Sequence, residues 1–76
     1  MIRLYTSPGC TRCPGVIRFL DKKVGIENVE VLDVANNPEA LDRLQNILKL
    51  SAVPVVETDK GVYQGNNQKE IAALLQ

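Results

Sequence analysis

The stretch that decides the fold is Ser7-Pro8-Gly9-Cys10-Thr11-Arg12-Cys13-Pro14, which contains the only two cysteines of the 76-residue chain. It lies between a segment that alternates like a β-strand and a segment with helical periodicity. A thiol at such a junction lies beside a helix N-terminus, where unpaired backbone N–H groups and the helix dipole stabilise a thiolate. Arg12 adds a positive charge between the two cysteines. The pattern therefore predicts a redox-active dithiol.

Other interpretations of the cysteine pair stay open at this point. A structural disulfide would close so short a loop that it stabilises the fold by only about 2 kcal/mol. A zinc site needs four ligands, whereas the chain has no histidine and no third cysteine. We therefore expect no metal site within the chain. The remaining alternatives are a metal or iron–sulfur carrier that uses Cys10 across a dimer, and a pure interaction module.

Length and composition restrict the class of protein. A chain of 76 residues, 45% hydrophobic and 24% charged, is typical of one small folded domain, which we expect to span residues 1–76. No apolar run reaches the length of a membrane span, and the N-terminus lacks a signal-peptide pattern. We therefore expect a cytoplasmic monomer with no membrane partner. In a reducing cytosol a Cys-x-x-Cys pair is more often catalytic or metal-binding than structural.

The formal net charge is zero, but the charges are unevenly distributed. Residues 1–23 contain one acid, Asp21, and five basic side chains: Arg3, Arg12, Arg18, Lys22 and Lys23. The overall balance argues against a nucleic-acid partner. The simplest interpretation of the basic residues after Arg12 is that they solvate the outer face of the first helix. The alternative is a positive rim around the dithiol that attracts acidic partners.

Periodicity and capping signals predict the order β-α-β-α-β-β-α. Asn37 followed by Pro38 is a helix start, and Gly25 is a helix end. The predicted elements are a strand at Ile2 to Thr6, a helix from the 11–14 region to Val24, a strand at Val29 to Val34, a helix after Asn37, a strand at Val55 to Thr58, a strand at Val62 to Gln64, and a helix after Asn67. In the second helix we expect a buried stripe of Leu41, Leu44, Ile47 and Leu48.

Connection lengths then predict the sheet. The first two strands are joined by a helix and should be parallel, whereas the last two form an antiparallel hairpin. The fold class is therefore α/β, with one four-stranded mixed sheet and helices on both faces.

This order resembles the glutaredoxin branch of the thioredoxin fold over essentially the whole chain. The resemblance is carried by the stretch from Tyr5 to Cys13, by Val53-Pro54 and by Gln64-Gly65-Asn66-Asn67. It implies that Cys10 is the nucleophile and that Cys13 resolves the mixed disulfide. It also implies that Pro54 is cis beside the dithiol and that Val53 pairs its backbone with the substrate. The remaining positions implied to contact substrate are Thr11, Arg12, Gly65, Asn66 and Asn67.

The departures from the family pattern concern glutathione. Members that use glutathione usually have Pro-Tyr between the two cysteines, where this chain has Thr11-Arg12. They also have a lysine shortly before the cysteines and an aspartate before the last helix, where this chain has Ser7 and Asn67. The comparison implies weak binding of glutathione as a co-substrate, with no resident cofactor.

Two further stretches are similar to particular branches of the family. The stretch 20–26 is similar to NrdH-type redoxins, which thioredoxin reductase recharges, and Pro14 is similar to small archaeal glutaredoxin-like proteins. We therefore expect a thiol–disulfide oxidoreductase that reduces protein disulfides, recharged by thioredoxin reductase in preference to glutathione.

Overall fold

The computed structural model describes residues 2–75 and has the predicted order of elements. The elements are β1 (Ile2–Thr6), α1 (Cys13–Val24), a 3₁₀ turn (Ile26–Asn28), β2 (Val29–Asp33), α2 (Pro38–Asp42) continuing as a π-helical turn (Arg43–Ile47), β3 (Val55–Thr58), β4 (Gly61–Gln64) and α3 (Gln68–Leu74). No helix within residues 2–75 is long and apolar enough to cross a bilayer.

The strands form one mixed sheet in the order β2-β1-β3-β4. β1 pairs parallel with β2 and antiparallel with β3, and β3 pairs antiparallel with β4. The predicted parallel pair, hairpin and mixed sheet are thus confirmed. Strand β1 is central, so the loop that follows it leaves from the middle of the sheet.

The side chains of β1 and β3 alternate between the two faces of the sheet. On one face, which we call the apolar face, the buried core combines strands β1, β2 and β3 with α1 and α3: Leu4, Val16, Leu20, Val29, Val56 and Ile71. On the other, which we call the α2 face, the buried core is smaller: Tyr5, Ala40, Leu44 and Val55. Helices therefore cover both faces, as the sequence predicts.

Local signals fix the element ends. The side chain of Asn37 accepts the N–H of Ala40 at 3.1 Å and begins α2, and Gly25, at φ 84°, ends α1. Strand β2 ends one residue before the predicted Val34. There the carboxylate of Asp33 accepts the N–H of Ala35 at 2.9 Å and turns the chain.

One expectation for the second helix is wrong. Ile47 is 60% exposed, and Ala40 is buried in its place. The helix changes to π geometry at Arg43, where the N–H of Leu48 donates to the carbonyl of Arg43 five residues earlier, at 2.9 Å. A π turn contains one more residue than an α turn, so Ile47 leaves the buried stripe.

The α2 face carries a row of charged side chains. Arg3 bridges Glu30 on β2 and Glu57 on β3, and Arg43 also pairs with Glu57. The hydroxyl of the buried Tyr5 donates to Glu57 Oε1 at 2.7 Å. The Arg43 guanidinium, as the main cause, lowers the pKa of Glu57, whereas burial raises the pKa of Tyr5. We call these five residues the ion-pair row.

Candidate active site

The register of the sheet brings three predicted site segments together at one end of the strands. Tyr5 pairs with Val55, and Val55 pairs with Gln64, so Thr6, Pro54 and Gly65 come next to one another just beyond the paired residues. The N–H of Gly65 donates to the carbonyl of Pro54 at 2.9 Å. The cysteine loop starts directly after Thr6, at the same end of the strands. Three segments that are far apart in sequence thus form one candidate site.

The two cysteines form a disulfide across the start of α1. Their Cα atoms are 5.5 Å apart, within the usual range for this bond. A turn closed by the N–H of Cys10 and the carbonyl of Ser7, at 3.1 Å, presents Cys10 at the end of the loop. Cys10 is partly exposed, whereas Cys13, the first residue of α1, is only 3% exposed. An attacking group from solvent therefore has access to Cys10 alone.

The Cys10 sulfur accepts a backbone hydrogen bond from the helix start. The N–H of Cys13 donates to Cys10 Sγ at 3.1 Å. Arg12, the N-cap residue, provides no side-chain acceptor for the helix, and the first turn of α1 contains no acidic residue. The sulfur therefore accepts the N–H of the first helical residue, one of the donors that a helix leaves unpaired at its N-terminus. An N–H donor and the positive end of a 12-residue helix both favour negative charge on Cys10.

The Val53-Pro54 peptide bond is cis, as the resemblance implied. Pro54 is buried and Val53 is partly exposed. Within residues 2–75, the backbone N–H and C=O of Val53 have no hydrogen-bond partner. A half-exposed segment with a free donor and acceptor is suited to pair with an extended chain. Contact between Pro54 and the disulfide stays a prediction.

The third segment, residues 65–67, depends on the hydroxyl of Tyr63 in β4. The Tyr63 hydroxyl accepts the N–H of Asn67 at 3.3 Å. Gly65 has φ 139°, and a Cβ there would lie 2.8 Å from the same hydroxyl, so the close approach requires glycine. The Asn67 side chain accepts the N–H of Lys69 at 2.9 Å and begins α3. No local sequence pattern signals the role of Tyr63, because that role depends on how β4 meets α3.

The other predicted substrate positions are accessible. Thr11, Arg12 and Asn66 are all exposed. Across the described residues, no three side chains of the metal-binding types come together as a metal site. A metal or cluster carrier would therefore need ligands from outside this part of the chain.

Comparison with known proteins gives concordant results. The glutaredoxin family model matches residues 2–62. The chain is 32% identical over 76 residues to an uncharacterized glutaredoxin-like 8.6 kDa protein encoded in the rubredoxin operon of Clostridium pasteurianum, with 100% of this chain and 99% of that protein covered. It is 45% identical over 58 residues to the Gene 56 protein of Mycobacterium phage D29. That match covers 76% of this chain but only 62% of the phage protein.

Two solved structures are similar over nearly the whole chain. The thioredoxin-like protein BC3987 has a TM-score of 0.87 at 28% identity, with 97% of this chain and 99% of that chain covered. The NrdH-redoxin of Escherichia coli, described as a glutaredoxin-like protein with a thioredoxin-like activity profile, has a TM-score of 0.81 at 25% identity. That match covers 96% of this chain and 92% of the E. coli chain. The thioredoxin-like fold expected from the sequence is confirmed.

Proposed function

The chain belongs to the glutaredoxin family, and on that basis we propose that it is a thiol–disulfide oxidoreductase that donates electrons to protein disulfides. The observation that carries the proposal is the hydrogen bond from the Cys13 N–H to Cys10 Sγ at the start of α1. It joins the accessible sulfur to a group that stabilises negative charge, and a thiolate is the form that attacks disulfides.

The reaction consists of two exchanges that balance. The Cys10 thiolate attacks one sulfur of the target disulfide, the target S–S bond breaks, and a Cys10–target mixed disulfide forms. The released target thiolate takes up a proton from solvent. The Cys13 thiolate then attacks Cys10 Sγ and releases the second target thiolate, which is also protonated. The target gains two electrons, and Cys10 and Cys13 are left as the disulfide seen in the structure.

In this proposal, substrate binding uses the three segments that meet beside the cysteine loop at the end of the strands. The free backbone groups of Val53 pair with the extended chain beside the target cysteine, and Pro54 fixes the bend that presents them. Thr11 and Arg12 contact the target from the cysteine loop. The remaining contacts come from the loop before α3: Gly65, Asn66 and Asn67.

The reductant that restores the dithiol is, in this proposal, a protein such as thioredoxin reductase rather than glutathione. Glutathione has charged ends, and charge-assisted hydrogen bonds supply much of the affinity for such groups. Ser7 and Asn67 are neutral, and the carboxamide oxygen of Asn67 already accepts the N–H of Lys69. Losing two hydrogen bonds to charged groups, at roughly 1.5–3 kcal/mol each, weakens binding about a hundredfold or more.

The same reasoning bears on location and assembly. A dithiol donor needs a reducing compartment, so we place the protein in the cytosol. All the groups assigned to the reaction come from one chain, so we propose that it acts as a monomer.

Turnover with two recycling systems tests the proposal. Reduction of insulin disulfides is followed with thioredoxin reductase and NADPH, and in parallel with glutathione, glutathione reductase and NADPH. We expect turnover with the first system, a kcat/KM at least about tenfold lower with the second, and none for Cys10→Ser in either. Efficient turnover with glutathione alone would reject the proposed reductant. Absence of turnover in both systems would reject the oxidoreductase function itself.

A further inference from the structure

A groove outside the candidate site runs along α1 and reaches the start of α3. It has a volume of about 380 Å³ and is lined by Gly15, Arg18, Phe19, Lys22, Lys23 and Gln68. We call it the basic groove. Gly15 lies two residues after Cys13, so one end of the basic groove is next to the redox pair. At 1.5 Å per helical residue, the groove extends about 12 Å along α1 to Lys23.

The charge of the basic groove is of one sign. Three of its lining residues are cationic, and no carboxylate of residues 2–75 lines it. Asp21, the only acid on α1, accepts the N–H of Ile26 at 2.9 Å and so is bound to the turn at the helix end. In the described part of the chain, neither Arg18 nor Lys22 forms an ion pair. Their positive charges are therefore available to a partner.

A role in helix stability accounts for only part of this arrangement. Lys22 and Lys23 lie in the last turn of α1, where cations favour the negative end of the helix dipole. Arg18 lies in the middle of the helix, where that effect has faded. The ammonium of Lys23 lies 5.7 Å from the centre of the Phe19 ring, so the groove also has an apolar wall. Helix stability alone does not explain why these α1 side chains line one groove together with Gln68 of α3.

We propose that the basic groove binds an acidic segment of the protein whose disulfide Cys10 reduces, and so orients that protein on the active site. This inference rests on the proposed function. A length of about 12 Å matches about four residues of extended chain. The groove is open and its cations are exposed, which suits a polypeptide better than a small anion that needs an enclosed site. Complementary charge beside a reaction centre raises the association rate, and salt weakens the effect.

The test uses two peptides with the same intramolecular disulfide, one followed by four aspartates and the other by four lysines. The readout is the ratio of kcat/KM for the acidic peptide to that for the basic peptide. This ratio is independent of the fraction of active protein. At low salt we expect a ratio of at least about tenfold in the wild type, decreasing towards one at about 0.5 M NaCl.

Two double variants with equal changes of charge locate the effect. In Arg18→Gln/Lys22→Gln we expect the ratio to fall to about one. In the control Lys49→Gln/Lys60→Gln, which alters exposed lysines outside the groove, we expect it to be retained. An equal fall in both variants would mean that only net charge matters and would overturn the inference. A retained ratio in the groove variant would overturn it as well.

Two further outcomes distinguish the ligand of the groove from the function of the protein. If single-stranded DNA at matched charge concentration abolishes the preference while an acidic peptide without cysteine does not, the groove binds polyanions rather than an acidic protein segment, and the inference fails. If the wild-type protein does not reduce insulin disulfides with either recycling system, the proposed function has failed, whatever the charge preference.

Discussion

The two faces of the sheet are stabilised by different means. The apolar face packs two helices, α1 and α3, on aliphatic side chains such as Leu4 and Val56. The α2 face has a smaller apolar core, and beside it lies the ion-pair row, in which Glu57 accepts from Tyr5 and Arg43. Both faces use the same two central strands, so the difference arises from the alternation of side chains along them.

The difference separates the packing that supports the cysteine loop from the charged residues of the sheet. Helix α1, which begins at Cys13, is held in place by burial of Val16 and Leu20 on the apolar face. Burial has no pH dependence of its own, so this support persists in acid and alkali. The charges of the ion-pair row lie at the N-terminal half of β1, away from the cysteine loop at its other end. The row therefore lies at the opposite end of β1 from the cysteine loop.

The largest expected effect compares one leucine from each face. Leu20→Ala on the apolar face should cost about 3–4 kcal/mol of unfolding free energy, and Leu44→Ala on the α2 face about 2–3 kcal/mol. Leu20 is fully buried in a cluster formed by three strands and two helices, so its cavity collapses poorly. Leu44 is 2% exposed but lies in a π turn next to exposed chain, so its surroundings relax more easily. Urea unfolding measures both values. A larger loss for Leu44→Ala would reverse our ranking of the two faces.

Removing the charge of Glu57 should have the next largest effect. Glu57→Gln takes the charged acceptor away from the buried hydroxyl of Tyr5, which should cost about 1–3 kcal/mol. The matched control is Glu30→Gln, which alters an exposed member of the same row and should change stability much less. Equal losses in the two variants would show that burial on the α2 face does not strengthen the row.

The Glu57 contribution should also depend on pH. Because its pKa in the folded protein is lowered from the ordinary 4.5, the contribution is complete above about pH 4.5 and is lost as the pH falls through the folded-state pKa. The stability difference between wild type and Glu57→Gln should therefore shrink as the pH falls from about 4.5 towards about 2. Urea unfolding across this range measures it. A constant difference would contradict the assigned ion pairing.

The smallest expected effect is a gain in stability at the end of the π turn. Lys49 has φ 59°, which is unfavourable for a residue with a Cβ, and its side chain is exposed. Lys49→Gly should therefore raise the unfolding free energy by about 0.5–1 kcal/mol, whereas Lys49→Ala should give no gain. Both are compared by urea midpoint. Equal values for glycine and alanine would show that the backbone strain is absent.

Much of the fold was predictable because its signals are local. Asn37 before Pro38 begins a helix, Gly25 ends one, and Pro14 restricts the start of α1 to the residues around Cys13. The Cys-x-x-Cys pair and the cis Val53-Pro54 bond were expected from the sequence motifs and their family resemblance. The substrate roles of the remaining site residues stay predictions.

The features that the sequence did not predict depend on contacts between distant residues. Tyr5 and Glu57 are 52 residues apart and meet only through the register of β1 and β3. Gln68 completes the basic groove only because α3 packs beside α1. The π turn that exposes Ile47 follows a helix start with ordinary α-helical signals, and nothing local marks the change.

The most direct test of the central claim is the rate at which each cysteine of the reduced protein reacts with iodoacetamide, measured by peptide mass spectrometry from about pH 5 to pH 10. We expect Cys10 to react at least about tenfold faster than the buried Cys13 at neutral pH. The midpoint of its pH profile should lie below the ordinary thiol pKa of about 8.5, because the helix start favours the thiolate. Faster labelling of Cys13, or a Cys10 midpoint at or above that value, would contradict the assignment of Cys10 as the activated nucleophile.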